Sequence, residues 1–179
     1  MAGHSHWKQI KEQKGTADQK RAQLFSKLLA AIAVVAKSDP NPQFNPRLKA
    51  AIEKARENHV PSENIERAVN RLSGRDNLEE LTIEAYGPEK AALIIEVITD
   101  NRNRALAELR RVLTEHETKM GERGSAAWAF EKTEAGWRAK FSQEISPAGN
   151  TKLEELIAAL EAHGDVQGVV SNAAIRTAP

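Results

Sequence analysis

At 179 residues, with 40% hydrophobic, 28% charged and only 4% aromatic residues, the chain has the composition of one or two globular domains built on aliphatic side chains. It contains no cysteine, which excludes disulfides and thiolate metal ligands and fits the cytoplasm. The net charge of +1 conceals two opposite halves: residues 1–75 hold 14 Lys/Arg and 7 Asp/Glu, whereas residues 76–179 hold 12 and 18. The basic half is the candidate nucleic-acid face, and the acidic half is poorly suited to lie along phosphates. The longest apolar run, residues 28–36, is too short to cross a bilayer, and the N-terminus lacks a signal-peptide pattern, so a membrane partner is not expected.

The first 37 residues concentrate the positive charge. Lys8, Lys11, Lys14, Lys20, Arg21, Lys27 and Lys37 are opposed only by Glu12 and Asp18, with Trp7 among them. A basic, flexible arm is expected to run into a helix over 17–37, whose buried stripe is Leu24, Phe25, Leu28, Leu29, Ile32 and Ala36. Ser38-Asp-Pro-Asn-Pro42 ends it. Asn45-Pro46 starts a second helix, with Asn as N-cap and Leu48, Ala51, Ile52 and Ala55 inward. Past Val60-Pro61-Ser62 a third helix buries Ile65, Ala68, Val69 and Leu72, with Gly74 just beyond its end. His59 is expected to pack on the apolar side of its helix. These three helices form a small N-terminal bundle over 1–75.

After residue 75 the period changes. Residues 81–87 and 91–99 read as strands, 101–116 as a helix with Leu106, Leu109, Val112 and Leu113 inward, and 125–132 as a strand with Trp128 and Phe130 on one face. Past a turn at 134–136, residues 137–145 alternate as one half-buried antiparallel strand. A helix over 150–163 and a strand over 166–171 close the chain. The order is ββαββαβ, an α+β domain over 76–179 with an antiparallel sheet and both helices on one face.

The chemistry-bearing residues point to binding. The lysines of the arm and first helix suit contact with a phosphate backbone, which carries no sequence information and weakens with salt. Trp7 is placed either to stack on a base or to cap the bundle. His4 and His6 have no third ligand, so no metal is expected. At the strand-to-helix junction Thr99-Asp-Asn-Arg-Asn-Arg104, Arg102 and Arg104 either contact an anion or pair with neighbouring carboxylates. A Gly-rich phosphate loop, a nucleophile elbow and a ligand cluster are all missing, so neither an enzyme, a cofactor nor a small-molecule substrate is expected.

A family resemblance rests on motifs that occur in order. They are Met1-Ala-Gly-His-Ser-His-Trp7 with Ile10-Lys11, Asp18-Gln-Lys-Arg21 with Phe25-Ser-Lys27-Leu28, and Asn45-Pro-Arg-Leu48 with Ala51-Ile52. Asn64-Ile-Glu-Arg-Ala68, Glu84-Ala-Tyr-Gly-Pro88, Thr99-Asp-Asn-Arg-Asn-Arg104 and Gly124-Ser-Ala-Ala-Trp-Ala-Phe130 continue the series. The chain resembles the YebC/PmpR family over residues 1–132, and more loosely over 152–172. The resemblance implies an N-terminal helical domain and two α/β domains, the third inserted into the second. It also implies a cytoplasmic regulator of gene expression: the family includes proteins labelled as DNA-binding transcriptional regulators, a mitochondrial translational activator, and bacterial members assigned to the ribosome. Here the inserted domain is expected to be absent near 132–137, replaced by a tight hairpin.

The expectation is a non-enzymatic, nucleic-acid-binding regulator. Ribosomal RNA is preferred over promoter DNA as its ligand, because no recognition helix with an Arg/Asn/Gln cluster is evident. Promoter DNA, and a protein partner docked on the acidic domain, are the alternatives. The assigned contacts are Trp7, Lys8, Lys11, Lys14, Lys20, Arg21, Lys27, Arg102 and Arg104.

Overall fold

The architecture is seen in a computed structural model, which describes residues 3–70, 77–133 and 136–176, with side chains described from residue 17 onward. It divides into two compact units, Met1–Gly74 and Arg75–Pro179.

In the first unit, α1 spans Gly3–Ala36, α2 Pro46–Glu57 and α3 Ser62–Asn70. The helix does not begin at residue 17 after a flexible arm; the helical backbone of α1 extends back to Gly3. Its C-terminal half packs Leu28, Ile32, Val35 and Ala36 against Leu48, Ile52, Ala55, Ile65 and Ala68 of α2 and α3. Leu24, expected in the stripe, is exposed, and Phe25 and Leu29 flank the core. Leu72 and Gly74 lie outside the described residues.

Asn45 joins two helix ends. Its Oδ1 accepts from the Leu48 backbone N–H at 3.0 Å, capping α2, while its Nδ2 donates to the carbonyls of Val35 and Asp39 at 3.1 and 2.8 Å. At the far end of α2, His59 has φ 60° and is exposed rather than packed. The Val60 N–H reaches back to the Ala55 carbonyl and the His59 N–H to that of Arg56, a Schellman closure that requires the left-handed conformation at His59.

In the second unit, β1 (Glu79–Tyr86) and β2 (Ala92–Thr99) form an antiparallel pair, flanked by β3 (Lys119–Met120) and β7 (Val166–Ser171) in the order β3-β1-β2-β7. β2 is buried along nearly its whole length, which explains its unbroken apolar sequence. Helices α4 (Arg102–Glu115) and α5 (Pro147–Glu161) cover one face, burying Leu109, Leu113, Leu153, Leu156 and Leu160 against Ile83, Leu93, Ile95 and Val97.

The α+β class and the placement of both helices on one face follow the sequence pattern, but the strands do not share one sheet. β4 (Phe130–Thr133) and β5 (Gly136–Ala139) form a separate hairpin. Phe130, Ala139 and Trp137 of that hairpin cover the opposite sheet face, on Ala92, Ile94, Tyr86 and Val170. The alternating run 137–145 is two strands: after a break at 140–142, β6 (Gln143–Ile145) pairs in parallel with β8 (Ala173–Ile175). Trp128 and Phe130 do not share a face, because Ala127–Ala129 is a 3-10 turn that leaves Trp128 exposed and Phe130 buried.

Candidate nucleic-acid interface

A 34-residue α-helix is roughly 50 Å long at the usual rise per residue. Among the described residues, the core contacts of α1 begin at Phe25, and Lys8, Lys11, Lys14, Lys20 and Arg21 precede it in the chain. Lys20 and Arg21 are exposed, and Lys27 is half-buried nearer the bundle. The Arg21 guanidinium carbon sits 5.3 Å from the centroid of the Phe25 ring, one turn further on, a stacking that holds its charge at the helix surface. Trp7, Lys8, Lys11 and Lys14 belong to α1, but their side chains, like those of His4 and His6, lie outside the described residues.

Sequence periodicity did not single out the outer face of α2. Lys49, Lys54 and Arg56 are exposed there. Lys49 and Arg56 line an open groove with Pro42, Gln43, Ile52 and Glu53. Their spacing is ordinary for a solvated helix face, and only the fold shows them on the basic unit beside a depression. With the boundary at Gly74, the first unit holds 13 Lys/Arg against 7 Asp/Glu, and the second 13 against 18.

The junction before α4 is arranged differently. Asn101 caps the helix through its side chain, which accepts from the Arg104 N–H at 3.0 Å. Arg104 is committed to carboxylates: its Nη2 lies 2.9 Å from both Asp100 Oδ1 and Asp165 Oδ2, and its Nη1 3.1 Å from Glu108 Oε2. The hydrogen bond to Asp100 is the main reason that its guanidinium is held still more firmly protonated than usual. His163 Nε2 approaches Glu108 Oε2 at 2.8 Å, and that hydrogen bond lowers the Glu108 carboxyl. Arg102 is more open, with its Nη1 3.8 Å from Glu79 Oε2. Arg104, itself exposed, is thus taken up by an ion-pair cluster within the second unit.

On the second sheet face, Glu84 is a buried carboxylate facing a loop. Its Oε1 accepts from the Gly124 N–H at 2.6 Å, and its Oε2 from the N–H groups of Ala126 and Ala127 at 2.7 and 2.8 Å. Burial pushes this carboxyl upward most strongly of any single influence, but the three amides and nearby Arg123 together outweigh it and hold it below its ordinary value. Tyr86, two residues along on the same face, donates its hydroxyl to the Ser125 carbonyl. Among the described residues, no group of three or more acidic or histidine side chains is placed to hold a metal, and no helix is long and apolar enough to cross a membrane.

The Glu84-Ala-Tyr motif and the Gly124–Phe130 loop, adjacent here, are distant in sequence. Family models match on both sides of the unit boundary: the TACO1/YebC protein N-terminal domain over residues 5–75, and the TACO1/YebC second and third domain over 78–135. A curated protein of Chlorobium phaeovibrioides is 40% identical over 178 residues, covering 94% of this chain and 68% of its own. The chain belongs to the TACO1/YebC family. A relative from Dictyoglomus turgidum is 49% identical over 136 residues, 74% of this chain and 55% of its own. Both relatives bear the name probable transcriptional regulatory protein. The chain spans little more than half the length of the first such TACO1/YebC relatives. A crystal structure of a conserved hypothetical protein from Aquifex aeolicus superposes with a TM-score of 0.81 at 29% identity, covering 90% of this chain and 93% of that one.

Proposed function

We propose that this chain is a non-enzymatic, nucleic-acid-binding regulator of gene expression whose α1 helix engages a phosphate backbone. The observation that carries this reading is the coincidence of charge and architecture. The first unit holds the chain's cation excess, and five of the six cations of α1 precede Phe25, the first of its described core residues. Lys8, Lys11, Lys14, Lys20, Arg21 and Lys27 are the assigned contacts, with Trp7 the base-stacking candidate; Lys49 and Arg56 extend the surface on α2. Arg102 is a secondary candidate, and Arg104, engaged by three carboxylates, a weaker one. Such an interface reads shape and phosphate rather than base edges, which favours structured RNA on the ribosome, in the cytoplasm, over a promoter sequence.

The names of the relatives favour the second reading, a DNA-binding transcriptional regulator. A protein partner on the acidic second unit is compatible with either. The shortened architecture belongs to the same proposal: the β4–β5 hairpin, paired from Phe130↔Ala139 to Thr133↔Gly136, stands where an inserted third domain would leave and return. Functions of that domain in longer relatives are then not expected here.

Ribosome co-sedimentation at two salt concentrations, beside duplex-DNA binding by the same protein, separates the readings. Salt-sensitive ribosome binding without sequence-selective DNA binding supports the RNA reading. Selective DNA binding without ribosome association replaces it with the transcriptional one. Binding to neither overturns the nucleic-acid proposal.

A further inference from the structure

The β4–β5 register continues past the hairpin. Phe130 pairs with Ala139, and the Lys140 N–H donates to the Ala129 carbonyl at 2.8 Å. Two positions further out, Trp128 therefore meets Phe141, with ring centroids 5.9 Å apart and planes inclined at 33°. Both rings are more than half exposed, 58% and 53%, whereas Phe130 between them and the hairpin is buried. Large apolar rings placed side by side in water mark a binding surface rather than a core.

The backbone that carries the rings is held in place. Trp128 Nε1 reaches the Tyr86 hydroxyl at 3.4 Å, and Tyr86 is itself fastened to the Ser125 carbonyl. The loop before Trp128 is fixed by Glu84 through three amides. On the other side, buried Asn172 receives the Ala92 N–H at 2.8 Å and donates its Nδ2 to the Phe141 carbonyl at 3.0 Å. A platform whose backbone is fastened by buried and partly buried hydrogen bonds has already given up part of the conformational freedom that binding would otherwise remove.

Charge selects the occupant. The second unit is acidic overall, 13 Lys/Arg against 18 Asp/Glu, yet residues 119–142 reverse the balance with five against three. The Lys140 ammonium lies over the Phe141 ring, 5.5 Å from its centroid. Adjacent exposed aromatics with a cation over one ring match bases and phosphates of an unpaired strand, since every base offers a ring face and every nucleotide a negative charge.

We propose that Trp128 and Phe141, flanked by Lys140, form a second site on this protein that stacks unpaired bases of single-stranded nucleic acid. This site lies outside the basic first unit and stands independently of the α1 proposal.

The test measures affinity of the full chain for one 12-nucleotide sequence as single-stranded RNA, single-stranded DNA and duplex, by fluorescence anisotropy. Repeating it in a Lys8→Glu/Lys11→Glu/Lys14→Glu background removes the proposed α1 contribution. In both backgrounds Trp128→Ala/Phe141→Ala is expected to weaken single-strand binding by about tenfold or more, as removal of base–aromatic stacking does, and to leave the duplex unchanged. Trp128→Phe keeps a ring and retains most of the affinity, and Lys140→Glu lowers it with both rings intact. Comparison of the RNA and DNA arms tells which sugar the site prefers. Single-strand affinity equal to wild type in the double-alanine variant overturns the proposal, whatever Lys140→Glu does. So does a change confined to self-association or to capture of a protein, which would make the face a protein contact.

Discussion

Glu84 Oε2 lies 2.7 Å from the backbone nitrogen of Ala126, 42 residues along the chain. That contact, with those to Gly124 and Ala127, converts a buried acid on β1 into the fastening of the loop that presents Trp128. Replacing Glu84 by Ala leaves three amides without their acceptor, at about 1–3 kcal/mol for each one that water does not reach. We expect Glu84→Ala to destabilise the second unit by about 3 kcal/mol and Glu84→Gln by less, measured by urea denaturation. Equal stability of Glu84→Ala and wild type would refute the anchoring role.

The same residue sets an acid limit. Its carboxyl titrates below the ordinary value of 4.5 when folded, so its contribution is fully present above the unfolded value and disappears as pH falls through the folded one. Stability of the second unit should therefore decline with acid below about pH 5, and more shallowly in Glu84→Gln. Parallel pH profiles for the two proteins would contradict this.

His59 holds a left-handed conformation, φ 60°, for which a non-glycine residue has no steric preference. His59→Gly should raise the stability of the first unit by about 0.5–1 kcal/mol, less than the full strain because glycine also gains freedom when unfolded. Calorimetry of the full chain should show one transition moving upward. Glu117, φ 56°, closes α4 in the same way, but its carboxylate also lies 3.5 Å from Lys152 Nζ, so Glu117→Gly should gain less.

Arg104 and Lys20 should behave oppositely. Arg104→Ala breaks partly exposed ion pairs and should cost about 1 kcal/mol or less of stability, while nucleic-acid affinity stays near wild type. Lys20→Glu should leave the melting temperature unchanged and weaken binding. A drop in affinity with Arg104→Ala would return the α4 junction to the interface.

Much of the fold was legible where a periodic apolar pattern meets a capping residue. Asn45 with Leu48 and Ile52, and Asn101 with Leu109 and Leu113, announce their helices through both signals. Where only one signal exists, the reading fails. Residues 3–16 carry no apolar stripe, so periodicity is silent about the extension of α1 to Gly3. The start of α5 at Ser146-Pro147 precedes its first buried leucine by several residues, leaving only the cap to mark it. In 137–145 the alternation is real on both sides of the break. Trp137 and Ala139 face the hairpin layer and Ile145 the helix layer, a change of partner that a period of two cannot report. The charge of the candidate interface was plain in the sequence. The Trp128–Phe141 pair was not, because it depends on a hairpin register and a 3-10 turn.

The salt dependence of binding tests the central claim most directly. For wild type and Lys8→Glu/Lys11→Glu/Lys14→Glu, affinity for a ribosomal RNA fragment and for duplex DNA is measured from low to moderate salt. If α1 meets the phosphates, wild-type affinity falls steeply. The slope of log K against log salt then flattens in the variant by about 0.7–0.9 for each phosphate that is no longer neutralised. Wild-type affinity and slope in the triple variant would contradict the account.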